Sequence, residues 1–213
     1  MIKIIDLPLG YFEACCYLIC LPSSTCLIDP CVSSEQLPAG IQPVRWLIAT
    51  HGHFDHINQT DNLRQSTHAP VYIHAADADC LTSSQRNLSV AMQRSTTLNP
   101  ADHLLADGQI LPLTDDCRLE VLHTPGHTSG GICLILFEGE KPVALFTGDT
   151  LFAGSIGRLD LDGSQEDMKK SLTKLEQLGE RFSDQILPVY PGHGCETELH
   201  REISENPYFQ MFR

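Results

Sequence analysis

Leu47-Ile48-Ala49-Thr50-His51-Gly52-His53-Phe54-Asp55-His56 is an apolar run that breaks into three histidines and a carboxylate. Imidazole nitrogen and carboxylate oxygen are ligands that zinc, iron and manganese accept, and these four stand within six positions of one another. The apolar residues before them read as a strand that delivers a loop. His51, His53, Asp55 and His56 are therefore candidate metal ligands, and the rest of the chain decides whether they have partners.

The same event recurs downstream. Glu120 to Leu122 reads as a strand running into His123-Thr124-Pro125-Gly126-His127, Val143 to Phe146 as one ending at Thr147-Gly148-Asp149, and Gln185 to Tyr190 as one ending at Pro191-Gly192-His193-Gly194. Each time a glycine or proline tightens the turn and a His or Asp is presented. The set becomes His51, His53, Asp55, His56, His127, Asp149 and His193. Seven ligands exceed what one tetrahedral ion takes; they suit two ions about 3.5 Å apart with a shared carboxylate, an arrangement that activates water. Strands mixed with helices, with ligands gathered at one rim, imply an α/β sandwich of two packed sheets with helices outside.

Outside the motifs, Ile2 to Ile5, Cys15 to Leu21 and Thr25 to Ile28 read as an antiparallel meander, and Val71 to Ile73 and Gly131 to Phe137 as further strands. Short helices are expected over Ser33 to Leu37 and Asp61 to Ser66. Residues 75 to 101 carry no clear period and read as helix and loop. Gln165 to Leu178 places Met168, Leu172, Leu175 and Leu178 at helical spacing, with Ser164 as cap and Gly179 as stop. A last helix is expected over Glu196 to Glu205, before Asn206-Pro207. Trp46 and the phenylalanines read as core. His68, His74, His103, His123 and His200 fall outside the motif spacing, with His123 the best placed to support a ligand.

At 213 residues and 42% hydrophobic, the chain suits a single domain over residues 1–213. A formal charge of -13 excludes partners with a phosphate backbone or an anionic membrane surface, and leaves small molecules. No basic and then apolar leader opens the chain, and no run approaches the roughly 18 apolar residues of a membrane span, so a soluble, cytoplasmic protein is expected. The nine cysteines are an odd number, and the first five (Cys15, Cys16, Cys20, Cys26, Cys31) lack metal or disulfide spacing; they read as reduced, buried residues on strands.

The motifs His51-x-His53-x-Asp55-His56, Thr124-Pro-Gly-His127-Thr, Gly148-Asp149 and Gly192-His193 resemble, in order and across most of the chain, the metallo-β-lactamase superfamily. Thr147-Gly-Asp-Thr-Leu-Phe-Ala-Gly-Ser-Ile-Gly-Arg158 and the close at Asn206-Pro207 resemble its short glyoxalase II-like hydrolases, which lack a C-terminal helical substrate domain. The resemblance implies the αββα sandwich of two mixed sheets flanked by helices. It implies two divalent metals, zinc first and iron or manganese as other occupants: one on His51, His53 and His127, the other on Asp55, His56 and His193, with Asp149 bridging. Asp55 and Asp149 become the catalytic carboxylates, Asp29 a support behind the ligands and Arg158 a substrate contact. The implied reaction is hydrolysis of a thioester such as S-lactoylglutathione, by a monomer or homodimer. The rival within the superfamily is a mononuclear iron persulfide dioxygenase using His51, His127 and Asp149. The tyrosine that such hydrolases carry after the last histidine falls here at Cys195.

Overall fold

The structure is a computed structural model that describes residues 2 to 212. The chain forms two compact units, one reaching to Leu105 and the other starting at Ala106, each built on its own six-stranded mixed sheet. In the first unit β1 (Lys3–Asp6), β2 (Tyr17–Cys20) and β3 (Thr25–Ile28) form the expected antiparallel meander. β4 (Val44–Ile48), β5 (Val71–His74) and β6 (His103–Leu105) then add in parallel. The connections that a parallel pair requires hold two helices, α1 (Phe54–Ile57) and α2 (Thr60–Thr67), and short 3-10 turns at Ala75–Cys80 and Ser89–Met92. β3 is buried at every position, as a strand covered on both faces must be, so its residues show no alternation. Leu18, Leu27, Leu47, Leu63, Val71 and Ile73 form the centre of this unit's core.

In the second unit β7 (Ile110–Pro112), β8 (Cys117–His123), β9 (Ile132–Glu138) and β10 (Lys141–Gly148) run antiparallel in sequence order. β11 (Pro188–Pro191) joins β10 in parallel, and β12 (Thr197–Glu198) closes the edge. The crossover from β10 to β11 is α3 (Gln165–Arg181), whose Met168, Leu172, Leu175 and Leu178 are buried against Phe137, Leu145 and Val189 of the sheet. Its start is the expected one: the Ser164 hydroxyl accepts the Asp167 amide at 3.2 Å. Two helices end the unit, α4 (Leu199–Glu205) and α5 (Pro207–Met211). Two mixed sheets with helices beside them agree with the fold class expected from sequence.

Several boundaries differ. Gly179 does not stop α3, which runs on to Arg181; it is there for space, since a Cβ would stand 2.5 Å from Ile203 Cδ1 of α4. The helix expected from Glu196 begins only at Leu199, because Thr197 and Glu198 pair with β11. Asn206-Pro207 opens α5 rather than closing the chain's helices: the Asn206 side chain accepts the Tyr208 amide at 3.1 Å and Pro207 occupies the first turn. β6 and β7 escaped notice because three-residue edge strands have too few positions to show a period. Trp46 and Phe152 are only partly buried, and Phe12 is 63% exposed. Of the first five cysteines four are buried and Cys20 is half-buried; Cys15, Cys16 and Cys31 lie in loops rather than on strands. Among the described residues no helix is long and apolar enough to cross a membrane.

Candidate metal centre

In the first unit β4 ends at Ile48, and its continuation carries Thr50, His51 and His53 to the start of α1, whose first turn holds Asp55 and His56. All four candidate ligands are buried. The ring of His51 lies 4.3 Å from that of His56 and 4.9 Å from that of His53, centroid to centroid, so the three imidazoles form one cluster.

Asp29, which ends β3 with a positive φ of 55°, fixes this cluster from behind. One carboxylate oxygen accepts the Thr50 amide at 2.7 Å; the other accepts the Thr50 hydroxyl and faces His56 Nδ1, each at 2.9 Å. A carboxylate only accepts, so His56 Nδ1 carries the proton and its Nε2 presents a lone pair. The Thr50 hydroxyl has spent its proton on Asp29, so its oxygen accepts from His51 Nδ1 at 3.1 Å, and His51 Nε2 likewise presents a lone pair. Support comes from a second carboxylate: fully buried Asp77 accepts the Gly52 amide at 2.9 Å, between the two histidines. Gly52 packs so closely on Cys80 that a side chain there would overlap it.

The second unit prepares its ligands in the same manner. His127 sits on the turn after β8, where Gly126 has a φ of 146° and lies against Met168 of α3; a Cβ there would be 2.6 Å from the Met168 Cα. Ser171 of α3 donates to the Pro125 carbonyl at 2.6 Å and locks the turn from the same side. His127 Nδ1 donates to the Arg158 carbonyl at 2.8 Å, so its Nε2 also carries a lone pair. That nitrogen stands 3.2 Å from Asp149 Oδ2, and His193 Nε2 stands 3.6 Å from the same oxygen. A lone pair facing a carboxylate oxygen at this distance is repulsive unless a cation lies between or beside them. The chemistry of the donors therefore fits a metal.

Asp149 follows a register shift at the end of β10, where Gly148 adopts a φ of 47° and its carbonyl accepts the Gly192 amide at 2.8 Å. The bulge turns the Asp149 and His193 strand ends together. The loop beyond, residues 150 to 163, is held from below by α4 and α5. Buried Glu202 accepts the Gly154 amide at 2.8 Å, the Thr197 hydroxyl at 2.6 Å and the Asn206 side-chain amide at 3.0 Å, and Asn206 also donates to the Ser155 carbonyl at 3.0 Å. Gly157 is jammed against the Asp149 carbonyl and His127 Nδ1, where no side chain fits.

The seven residues singled out by sequence stand at strand ends or in the turns that follow them, His51, His53, Asp55 and His56 in the first unit and His127, Asp149 and His193 in the second, and each offers a nitrogen or a carboxylate oxygen of the kind that metals accept. Arg158 contributes through its carbonyl; its exposed guanidinium forks onto Asp160 with two bonds of 2.7 Å, which hold the Asp160 carboxyl down at about 2. His123 Nε2 donates to the Ser129 carbonyl at 3.0 Å, within the turn that closes before β9. Thr50, Asp77, Glu202 and Asn206 were not anticipated. The polar residues among the apolar ones near the motifs were the available signal for Thr50, and nothing in spacing marks the rest.

The sequence pattern of the metallo-β-lactamase superfamily matches residues 12–193, which includes every ligand strand end. The chain belongs to the metallo-β-lactamase superfamily. A probable metallo-hydrolase of Bacillus subtilis, YqgX, is 32% identical over 215 residues, covering 97% of each chain. The hydroxyacylglutathione hydrolase GloC of Haemophilus influenzae is 33% identical over 211 residues, covering 95% of each. Among solved structures, the BLEG-1 B3 metallo-β-lactamase superposes with a TM-score of 0.84 at 31% identity, covering 97% of this chain and 99% of that one. The metallo-β-lactamase fold expected from the motifs is thus the fold of this chain.

Proposed function

We propose that the protein is a dinuclear metal-dependent thioesterase of the glyoxalase II type, acting on S-lactoylglutathione or a related acyl thioester. The observation that carries the reading is the preparation of the ligands: three imidazoles in two units have their Nδ1 protons committed to Asp29, Thr50 and the Arg158 carbonyl, which leaves Nε2 of each for a metal. His51, His53 and His127 would hold one ion, Asp55, His56 and His193 the other, and Asp149 both. Zinc suits this set of imidazoles and carboxylates, and iron or manganese is accepted by the same atoms. Bound there, the metals supply Lewis acidity and lower the pKa of water toward neutrality.

The chain's own contribution is placement. Burial of six of the seven proposed ligands limits access of bulk water, Asp29 and Asp77 hold the His51–His56 segment from two sides, and the Glu202–Asn206 pair steadies the loop beyond Asp149. A thiol leaving group has an ordinary pKa of about 8.5 and departs without a strong acid, which matches a site whose polar groups are occupied as ligands. The likeness to GloC over the whole chain supports a thioester with a glutathione-like half. The test is metal content followed by a panel of acyl thioesters, lactones, a β-lactam and glutathione persulfide. Two metals per chain and thioester turnover are expected, with Asp55→Ala losing both one metal and turnover. One iron per chain with rapid oxygen uptake on the persulfide would replace this reading with the dioxygenase.

A further inference from the structure

The first unit carries a cation beside the metal loop that none of the chemistry above employs. Arg94 is exposed, and its guanidinium lies over the Tyr11 ring, 4.6 Å from the centroid, and 5.9 Å from that of Phe54. Tyr11 and Phe54 are themselves 5.8 Å apart, and Phe54 is the residue between ligands His53 and Asp55. Among the described residues no carboxylate pairs with Arg94, in a chain with 27 acidic residues and only 14 lysines and arginines. What sets Arg94 apart is its place: its aromatic partners are Tyr11 and Phe54, and Phe54 lies between two of the candidate ligands.

The position is built. Leu88 and Gln93 both adopt the left-handed region, with φ of 66° and 57°, a conformation that costs energy for residues with a Cβ. What holds them is fully buried Asn87: its side chain donates to the Cys80 and Thr96 carbonyls at 3.0 and 3.1 Å and accepts the Ser89 amide at 2.9 Å. The Asn87 carbonyl accepts the Phe54 amide at 2.9 Å, and the Arg94 amide donates to Ser89 at the same distance, so the segment is tied to the metal loop itself. Phe12, next to Tyr11 in the chain and also left-handed at φ 54°, is 63% exposed. A planar cation on an aromatic seat, next to an exposed ring, matches a carboxylate carried on a short apolar arm.

We infer that Arg94, seated on Tyr11, is the specificity-determining residue for substrates bearing a carboxylate, so that the preferred thioesters carry one within reach of the metal loop. This rests on the thioesterase reading and deepens it. A carboxylate on the thiol half and one on the acyl half are separated by two substrates: the acetyl thioester of 3-mercaptopropionate and the succinyl monothioester of ethanethiol, each compared with neutral S-ethyl thioacetate. Metal-loaded wild type is expected to prefer one acid over the neutral ester. Arg94→Gln should lower kcat/KM for that acid roughly 10- to 100-fold, almost wholly through KM, and for the neutral ester by no more than about threefold; Arg94→Lys and Tyr11→Leu should fall between. An equal loss on all three substrates, or a preference that survives Arg94→Gln, would overturn the assignment. Calorimetric binding of 3-(methylsulfanyl)propanoate and of its methyl ester, to wild type and Arg94→Gln, keeps the two readings apart. If no thioester is turned over, the thioesterase reading fails, while the assignment of Arg94 stands or falls on whether the acid's advantage disappears in the variant.

Discussion

At the scale of single residues, the groups behind the ligands are as informative as the ligands. Asp29 makes three hydrogen bonds to Thr50 and His56 from a backbone conformation that few residues other than Asn, Asp and Gly tolerate. Asp29→Asn keeps shape but allows its amide to donate toward His56, which destroys the preference for one tautomer. Metal affinity measured by chelator competition should fall about 10- to 100-fold with little change in the circular dichroism spectrum. Thiol chemistry gives a second prediction. Burial raises the Cys15, Cys16 and Cys26 thiols, and Cys133 is pushed up to about 11 by burial, which outweighs its contacts with Thr124 and Thr150. Cys195 is the cysteine that the described structure exposes. Ellman's reagent at neutral pH should therefore react quickly with about one thiol per native chain, and Cys195→Ser should remove that phase. The candidate ligands stood out because His and Asp cluster at fixed short spacing after apolar runs. Asp77 was not, because its role depends on burial beside a glycine 25 positions earlier, and the segment that carries it has no period.

Among the elements, α3 carries the clearest energetic statement. Leu172 and Leu175 are buried on its sheet-facing stripe, and truncation of Leu172 to Ala should cost about 2–5 kcal/mol in denaturant unfolding. Its exposed side makes a smaller contribution that depends on pH. Lys174 donates to Asp107 at 3.1 Å and to the His123 carbonyl at 2.7 Å, while Asp107 also accepts the His123 amide. Burial tends to raise the Asp107 pKa, but the His123 amide and Lys174 outweigh it and the net shift is downward. A depressed carboxylate stabilises above its unfolded pKa and loses that contribution as pH falls through the folded value. Asp107→Asn should thus cost up to about 1 kcal/mol at pH 7, given how exposed the pair is, and nothing under strongly acidic conditions. This element also shows where sequence reading succeeds and fails. Ser164 and the apolar spacing located the helix to within a turn, since caps and periodicity are local. Gly179 misled because the reason for it lies on α4, and a glycine needed for close approach looks the same in sequence as a glycine that ends a helix.

For the whole molecule, the proposed metal centre makes a prediction about stability. Chelation should abolish turnover and lower the melting temperature, and both should return when metal is restored, because an ion held by the native ligands and not by the unfolded chain stabilises in proportion to the logarithm of its concentration. A melting temperature unaffected by chelator would argue against metals bound by these seven residues. Fold class was legible at this scale because strand ends repeat the same design four times.

The seat of Gly126 on Met168 has a consequence for motion. The Ser164 amide donates to the Gly126 carbonyl at 2.7 Å, so the first residues of α3 and the turn that carries His127 share hydrogen bonds as well as packing. The turn is therefore expected to open only together with the start of the helix. Its amides should exchange with solvent deuterium at the rate of the helix, as one cooperative block, and a single glycine to alanine change at residue 126 should break that block into a fast turn and a slow helix.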